Sequence, residues 1–174
     1  MTKNEILYMT EEKHIEQLWK ILNSINSEIK IAESKAMTII STSSIVTAFL
    51  FSKSGILDIL SNSIVYNILF ILCSSLLLFS ITFALFAVRP NFKNKSESSI
   101  LFFDSILSKY CDGNKYHESF KNIVENNDNA FEKQLSEQIV VKSIIAKNKF
   151  KSVTIAINFF AMFLLLLMLL VLVS

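Results

Sequence analysis

The sequence has few of the residues that build tight turns. Its 174 residues include only two glycines and one proline. Hairpins and sharp turns depend on these residue types, so their scarcity argues against a sheet-rich fold. The two glycines, Gly55 and Gly113, also lie 58 positions apart. This separation excludes a glycine-rich phosphate-binding loop.

Cysteine and histidine are equally scarce. The chain has two cysteines, Cys73 and Cys111, and two histidines, His14 and His117, with no Cys-x-x-Cys or His-x-x-x-His pair. Two isolated cysteines form no disulfide framework, and Cys111 with His117 would not complete a metal site. No histidine is placed to serve a nucleophile triad. We therefore expect no catalytic residue, metal or cofactor, and a protein that is not an enzyme.

Charge is sparse as well. Charged residues make up 18% of the chain, whereas an ordinary soluble domain has about a quarter. Hydrophobic residues make up 52%, and the mean hydropathy is +0.46. A net charge of +2, from 17 basic and 15 acidic residues, is too small to indicate a nucleic-acid polymer as partner. The composition predicts an all-α membrane protein.

Three stretches carry no charge at all. They are residues 36–52, 64–88 and 152–174, with lengths of 17, 25 and 23 residues. A helix needs about 20 apolar residues to cross a bilayer, so the last two stretches qualify easily. The first is short and rich in hydroxyls, which lipid tolerates when they bond to the carbonyl four residues earlier. We predict three transmembrane helices with a small helical cytoplasmic domain.

The distribution of Lys and Arg predicts the orientation. Residues 1–35 hold five, residues 53–63 hold one and residues 89–151 hold eleven. Basic loops stay in the cytoplasm, and the polar first 35 residues do not look like a cleaved signal peptide. The predicted order is a cytoplasmic helix at 1–35, transmembrane helix 1 at 36–52, an external hairpin at 53–63, transmembrane helix 2 at 64–88, a cytoplasmic helical region at 89–151 and transmembrane helix 3 at 152–173.

A regular apolar seam precedes the first predicted span. Its members follow one another at spacings of three and four residues: Ile15, Leu18, Leu22, Ile25, Ile29, Ala32 and Ala36. This heptad pattern, free of Gly and Pro, predicts one continuous helix from about residue 11 to residue 52, with Thr10 as its N-cap. The seam would pack on residues 89–151 of the same chain or on another copy, and the two are compatible. Further helices are predicted at 115–125 and from about 129 into the third span.

Polar residues near the span ends are the candidate functional residues. Glu33 and Lys35 stand at the inner mouth of the first span, where they would either anchor the helix at the head groups or act in function. Gln138 and Ser143 precede the third span and are either ordinary surface or functional. Asn158 lies inside the third span, and such residues hold helices together or line water. Aromatic and basic residues between 89 and 116 would either stack a base and hold its phosphate or form a small core with a solvated rim.

The order of short motifs resembles the transmembrane effectors of the Pycsar anti-phage systems. The acidic-x-Lys-Ala pattern that opens the first span of those proteins is similar to Glu33-x-Lys35-Ala36. The other similar features are Pro90, Leu101-Phe102-Phe103, Gln138-Ile139 with Ser143, Ile145 and Ala146, and Lys149-Phe150. The resemblance runs from about residue 15 to the end. Glu33 stands where the family usually has Asp, and Lys142 adds a charge to the Gln-to-Ser stretch. Two-span SLATT-type effectors share the helix-then-hairpin layout.

This resemblance implies a function. Such an effector sits in the bacterial inner membrane as a multi-pass homo-oligomer, with its N-terminus in the cytoplasm and membrane lipid around it. It impairs that membrane when it binds a cyclic pyrimidine nucleotide, cyclic UMP or cyclic CMP, made by a partner pyrimidine cyclase, so the infected cell aborts the infection. The nucleotide-sensing residues would form a belt near the inner membrane face: Glu33, Lys35, Arg89, Gln138, Ser143 and Lys149. The alternatives are a membrane scaffold that recruits a partner helix through the seam and an unregulated, holin-like toxin.

Overall fold

The computed structural model describes residues 3–50, 64–90, 106, 109–110, 112–126 and 130–173. They form four helices, α1 (Lys3–Leu50), α2 (Ile64–Val88), α3 (Gly113–Asn126) and α4 (Ala130–Val173). No strand occurs among these residues, so the predicted all-α fold is confirmed. The predicted external hairpin at 53–63 and the chain from 91 to 105 lie outside the described residues.

Helix α1 is continuous, as the sequence predicted, but it begins earlier than expected. It starts at Lys3, so Thr10 lies inside the helix and its prediction as N-cap was wrong. Residues 3–9 contain neither Gly nor Pro and include the helix formers Lys, Glu, Leu and Met, so nothing forces a start at Thr10. The predicted end at residue 52 lies outside the described residues.

The apolar seam of α1 faces protein along its whole length. Leu22, Ala32 and Ala36 are buried, and the other four seam residues are half-buried. Residues on the other side of the helix, such as Lys30 and Ile31, are exposed. The spacing of three and four residues therefore identified the packed face of α1 correctly.

The chain divides into two compact units. The first consists of Met1–Glu28 and Pro90–Ala146, and the second of Ile29–Arg89 and Lys147–Ser174. Each long helix, α1 and α4, contributes a segment to both units. Both stretches that the sequence placed in the cytoplasm contribute residues to the first unit, whereas the second holds the charge-free helices.

Small residues join the three helices of the second unit. Five alanines have no exposed surface and form one cluster with Ile39 and Val153: Ala32, Ala36, Ala84, Ala87 and Ala156. Small side chains let helix backbones approach closely, which is how helices associate in lipid. A second cluster centres on Cys73, Leu77 and Phe163. Between α2 and α4, the Ser80 hydroxyl donates to the carbonyl oxygen of Ala156 at 2.9 Å.

The first unit is held by a series of aromatic contacts. Ring centroids are 5.5 Å apart for Tyr110 and Tyr116, 6.3 Å for Tyr116 and Phe120, and 6.1 Å for Phe120 and Phe131. Asp112 caps α3, since its carboxylate accepts from the Asn114 amide at 3.2 Å. These contacts favour the core interpretation for Tyr110 and Tyr116, which the sequence had left open.

Two of the four helices are long and apolar enough to cross a membrane. The qualifying segments are Asn67–Val88 and Ala130–Leu170, judged by length and composition among the described residues. Helix α2 has the same bounds as the predicted second span, and α4 continues through the predicted third span without a break. Residues 36–50 are helical but do not qualify, so the first span stays a prediction. Its hydroxyls on Thr38, Thr42, Ser44 and Thr47 do bond to the carbonyl four residues earlier, at 2.7–3.0 Å.

Candidate functional site

A buried lysine ties together the three helices of the second unit. Lys149, on α4, has only 6% of its surface exposed. Its Nζ donates to the carbonyl oxygen of Ala87 at 2.5 Å and to that of Arg89 at 3.3 Å. The same ammonium pairs with Glu33 Oε1 on α1 at 2.9 Å. Lys149 therefore contacts the end of α2 and the middle of α1 at once.

The end of α2 explains why a cation lies there. The last carbonyls of a helix have no partner within the helix and carry its negative dipole end. Helix α2 ends at Val88 because Pro90 restrains Arg89 from continuing it. Ala87 has no exposed surface, so water does not reach its carbonyl oxygen. The Lys149 ammonium satisfies the Ala87 carbonyl and places positive charge at the negative end of the helix.

Glu33 balances the buried charge from a partly wet position. Its side chain is 40% exposed, whereas the Lys149 side chain is 7% exposed. Burying a lone ammonium is very costly, and removing one partner of a buried pair leaves that cost uncompensated. The pair is therefore dry on the lysine side and open to solvent on the glutamate side. The ion pair of Glu16 and Lys20 is different, because both of its side chains are exposed. Lys20 Nζ lies 2.7 Å from Glu16 Oε1 on the surface of α1, and the lysine lowers the pKa of the glutamate.

The structure gathers half of the predicted sensing belt. Glu33, Lys149 and the main chain of Arg89 meet at the end of α2, while the Arg89 side chain and Lys35 are exposed. Gln138 and Ser143 belong to the other unit. Gln138 is 5% exposed, and the exposed Ser143 donates its hydroxyl to the Ile139 carbonyl at 2.7 Å.

Sequence reasoning selected Lys149 as a candidate cation for a ligand but missed its contact with Ala87. A signal for that contact was available in part. The pair Arg89-Pro90 marks a helix end, and a helix end needs partners for its last carbonyls. Which lysine would supply them depends on how α4 crosses α2, and one sequence does not give that crossing.

The first unit contains a cavity on α4. It has a volume of about 460 Å³ and is lined by Lys133, Ser136, Glu137, Val140 and Val141. This volume falls in the range of small-molecule sites, but only Lys133 among the lining residues offers a cation to a phosphate. Across the described part of the chain, no three His, Cys, Asp or Glu side chains are grouped to hold a metal ion.

Comparison with known proteins gives one family. The family model described as PycTM, Pycsar effector protein domain, matches residues 17–174. The Pycsar effector protein SaPycTM of Staphylococcus aureus is 39% identical over 84 residues, which cover 48% of this chain and 51% of that protein. The chain thus spans about half the length of this curated relative. No solved structure matches the chain.

Proposed function

This chain belongs to the Pycsar effector family, and we propose that it is a membrane effector that a cyclic pyrimidine nucleotide activates during phage infection. The observation that carries the proposal is the family match over residues 17–174, which includes most of α1 and all of α2, α3 and α4. Membership of this family supports an effector role in anti-phage defence. The two long apolar helices support a place in the membrane.

The proposed arrangement has three spans in the inner membrane. Residues 64–88 and 152–173 cross as α2 and as the second half of α4. Residues 36–52 complete the set, supported by the bonding of their hydroxyls to their own helix. Residues 1–35 hold five basic residues and residues 89–151 hold eleven, whereas residues 53–63 hold one. Residues 1–35 and 89–151 therefore stay in the cytoplasm.

Activation is proposed to work by selection between two packings of the helices. A ligand shifts such an equilibrium only by its difference in affinity for the two states. Moving a population from 1:99 to 99:1 takes roughly 5.5 kcal/mol of differential binding, which several sites in a homo-oligomer would share. In the resting state, the Glu33–Lys149 pair fixes the end of α2. The exposed cations Lys35 and Arg89 are the proposed partners of the nucleotide phosphate.

The scaffold alternative has less support than the effector. A scaffold would need the seam of α1 free to bind a partner helix. Ala32 and Ala36 have no exposed surface and lie in the core of the chain's own second unit. Leu22 is buried as well and the other four seam residues are half-buried, so the seam is already occupied along its length. The holin-like alternative remains as an outcome of the test, because an unregulated toxin would need no nucleotide.

Dye release from liposomes tests the proposal. Liposomes containing the purified chain should release a trapped dye when cyclic UMP or cyclic CMP is added. Release without either nucleotide would favour the holin-like toxin, and no release with both would contradict the effector. Lys35→Ala should insert normally and lose the response. Lys30→Ala, which removes another exposed lysine of α1, is the matched control and should respond as the wild type does.

A further inference from the structure

Helix α4 carries a polar side chain on the side that faces away from its own bundle. Its packed side consists of Val153, Ala156 and Phe163, which are 2%, 0% and 0% exposed. Asn158 lies on the opposite side of the helix and is exposed. No hydrogen bond joins its amide to any other residue that the structure describes.

The depth of Asn158 makes this exposure costly. Lys151 is exposed on the same side of α4 and its ammonium requires water, so it marks the end of the helix near the head groups. Asn158 comes seven residues later, a rise of about 10 Å at 1.5 Å per residue. An asparagine side chain is too short to reach back over that distance. In hydrocarbon an amide without a partner is unfavourable.

The apolar neighbours of Asn158 repeat at coiled-coil spacing. Met162, Leu165 and Leu169 follow it at steps of four, three and four residues. They are 55%, 65% and 55% exposed. This spacing places all four side chains in one seam, the α4 seam, which suits a left-handed helix pair of the kind common in membranes. A single asparagine within an apolar seam is a device that fixes register and partner number.

We propose that the α4 seam is the contact between copies of this chain, with Asn158 amides paired across it. The inference rests on the proposed placement of residues 152–173 in the membrane. A carboxamide both donates and accepts, so it is complementary to itself. Copies inserted in the same direction hold Asn158 at the same depth, and a symmetry axis brings each seam residue to its equivalent. An unrelated helix would need its own amide at that depth.

Cysteine cross-linking of the full chain in native membranes tests the seam. In a Cys73→Ala, Cys111→Ala background that keeps Asn158, Met162→Cys and Leu165→Cys should each form disulfide-linked dimers on oxidation. Ile157→Cys and Leu164→Cys are matched controls, because they are exposed (46% and 40%) in the same part of the helix but lie away from the seam. We expect little cross-linking from either control. Equal yields at the four positions would overturn the seam.

A second measurement tests the amide itself. Asn158→Leu should weaken dimerisation in lipid by about threefold to thirtyfold, which corresponds to roughly 0.6–2 kcal/mol for a polar contact between membrane helices, while Asn158→Gln should keep most of it. An unchanged dimer dissociation constant in Asn158→Leu would overturn the role of the amide.

Extraction with alkaline carbonate distinguishes failure of the membrane placement from failure of the seam. Extraction of the unmodified chain would overturn its membrane placement and the seam together, whereas retention with unbiased cross-linking would overturn the seam alone.

Discussion

Removal of the Lys149 ammonium should destabilise the second unit far more than removal of an exposed lysine. In Lys149→Met, the carbonyl oxygen of Ala87, a residue with no exposed surface, loses its 2.5 Å partner. Leaving a buried acceptor unsatisfied costs about 1–3 kcal/mol. Glu33 adds little to this loss, because its side chain is 40% exposed and regains water. For a chain of this size, such a loss lowers the unfolding temperature by roughly 3–10 °C.

Two further variants place this effect on a scale. Glu33→Gln should cost at least as much, about 3 kcal/mol, because the Lys149 ammonium stays buried and loses the carboxylate that balances its charge. Lys20→Met breaks the exposed pair with Glu16, in which the two side chains are 71% and 63% exposed, and should leave the unfolding temperature nearly unchanged. In the double variant Glu33→Gln, Lys149→Met, the loss should be no larger than in Lys149→Met alone, since the pair is already broken.

The thiol of Cys73 provides the assay. It is 3% exposed in the core of the second unit, so a fluorogenic maleimide should react with it only when that core opens. Unfolding temperatures would be measured in detergent micelles with Cys111 replaced by alanine. If Lys149→Met unfolds at the same temperature as Lys20→Met, the ammonium does not hold the end of α2, and the reasoning about the buried pair is refuted.

Three other substitutions test the packing, each against a control. Ser80→Ala should lower the stability measured with Cys73 by about 1 kcal/mol, because it removes the hydrogen bond from the Ser80 hydroxyl on α2 to the Ala156 carbonyl on α4. The control Ser75→Ala should cost less, because the Ser75 hydroxyl bonds within its own helix. A larger cost in Ser75→Ala than in Ser80→Ala would contradict the contact. Ala156→Leu should cost about 1–3 kcal/mol by overpacking the alanine cluster, whereas Ala48→Leu on the exposed side of α1 should be nearly neutral; equal effects would refute close helix approach. Asp112→Ala should cost about 1 kcal/mol by removing the cap of α3, and it should speed amide hydrogen exchange in the first turn of that helix. Asp112→Asn should leave the exchange rate unchanged, because asparagine also caps helices. An unchanged exchange rate in both variants would exclude the cap.

Patterns that depend on one helix at a time could be predicted from the sequence. The seam from Ile15 to Ala36 gave the packed face of α1, and Pro90 gave the end of α2. The start of α1 could not be predicted from Thr10, because a capping residue permits a helix to begin without preventing an earlier start.

The candidate site depended on which residues share a face and on where helices cross. Lys35 is two residues from Glu33, but this places it about 200° around the helix, and it is exposed while Glu33 meets Lys149. Ser143 is six residues before Lys149 and lies on a different side of α4 by the same geometry. Proximity in sequence to a span end therefore grouped residues that the fold separates. The contact of Lys149 with Ala87 depends on the crossing of α4 and α2, which no local pattern encodes.

The side of the membrane that the C-terminus reaches tests the three-span arrangement most directly. Ser174→Cys, in the Cys73→Ala, Cys111→Ala background, would be exposed to a membrane-impermeant maleimide on intact spheroplasts. Asn114→Cys, on an exposed position of α3 in the proposed cytoplasmic part, serves as the internal control and should be labelled only after permeabilisation. We predict that the Ser174→Cys variant is labelled in intact spheroplasts. Labelling of both variants only after permeabilisation would mean that residues 152–173 do not cross the membrane, which would contradict the three-span arrangement.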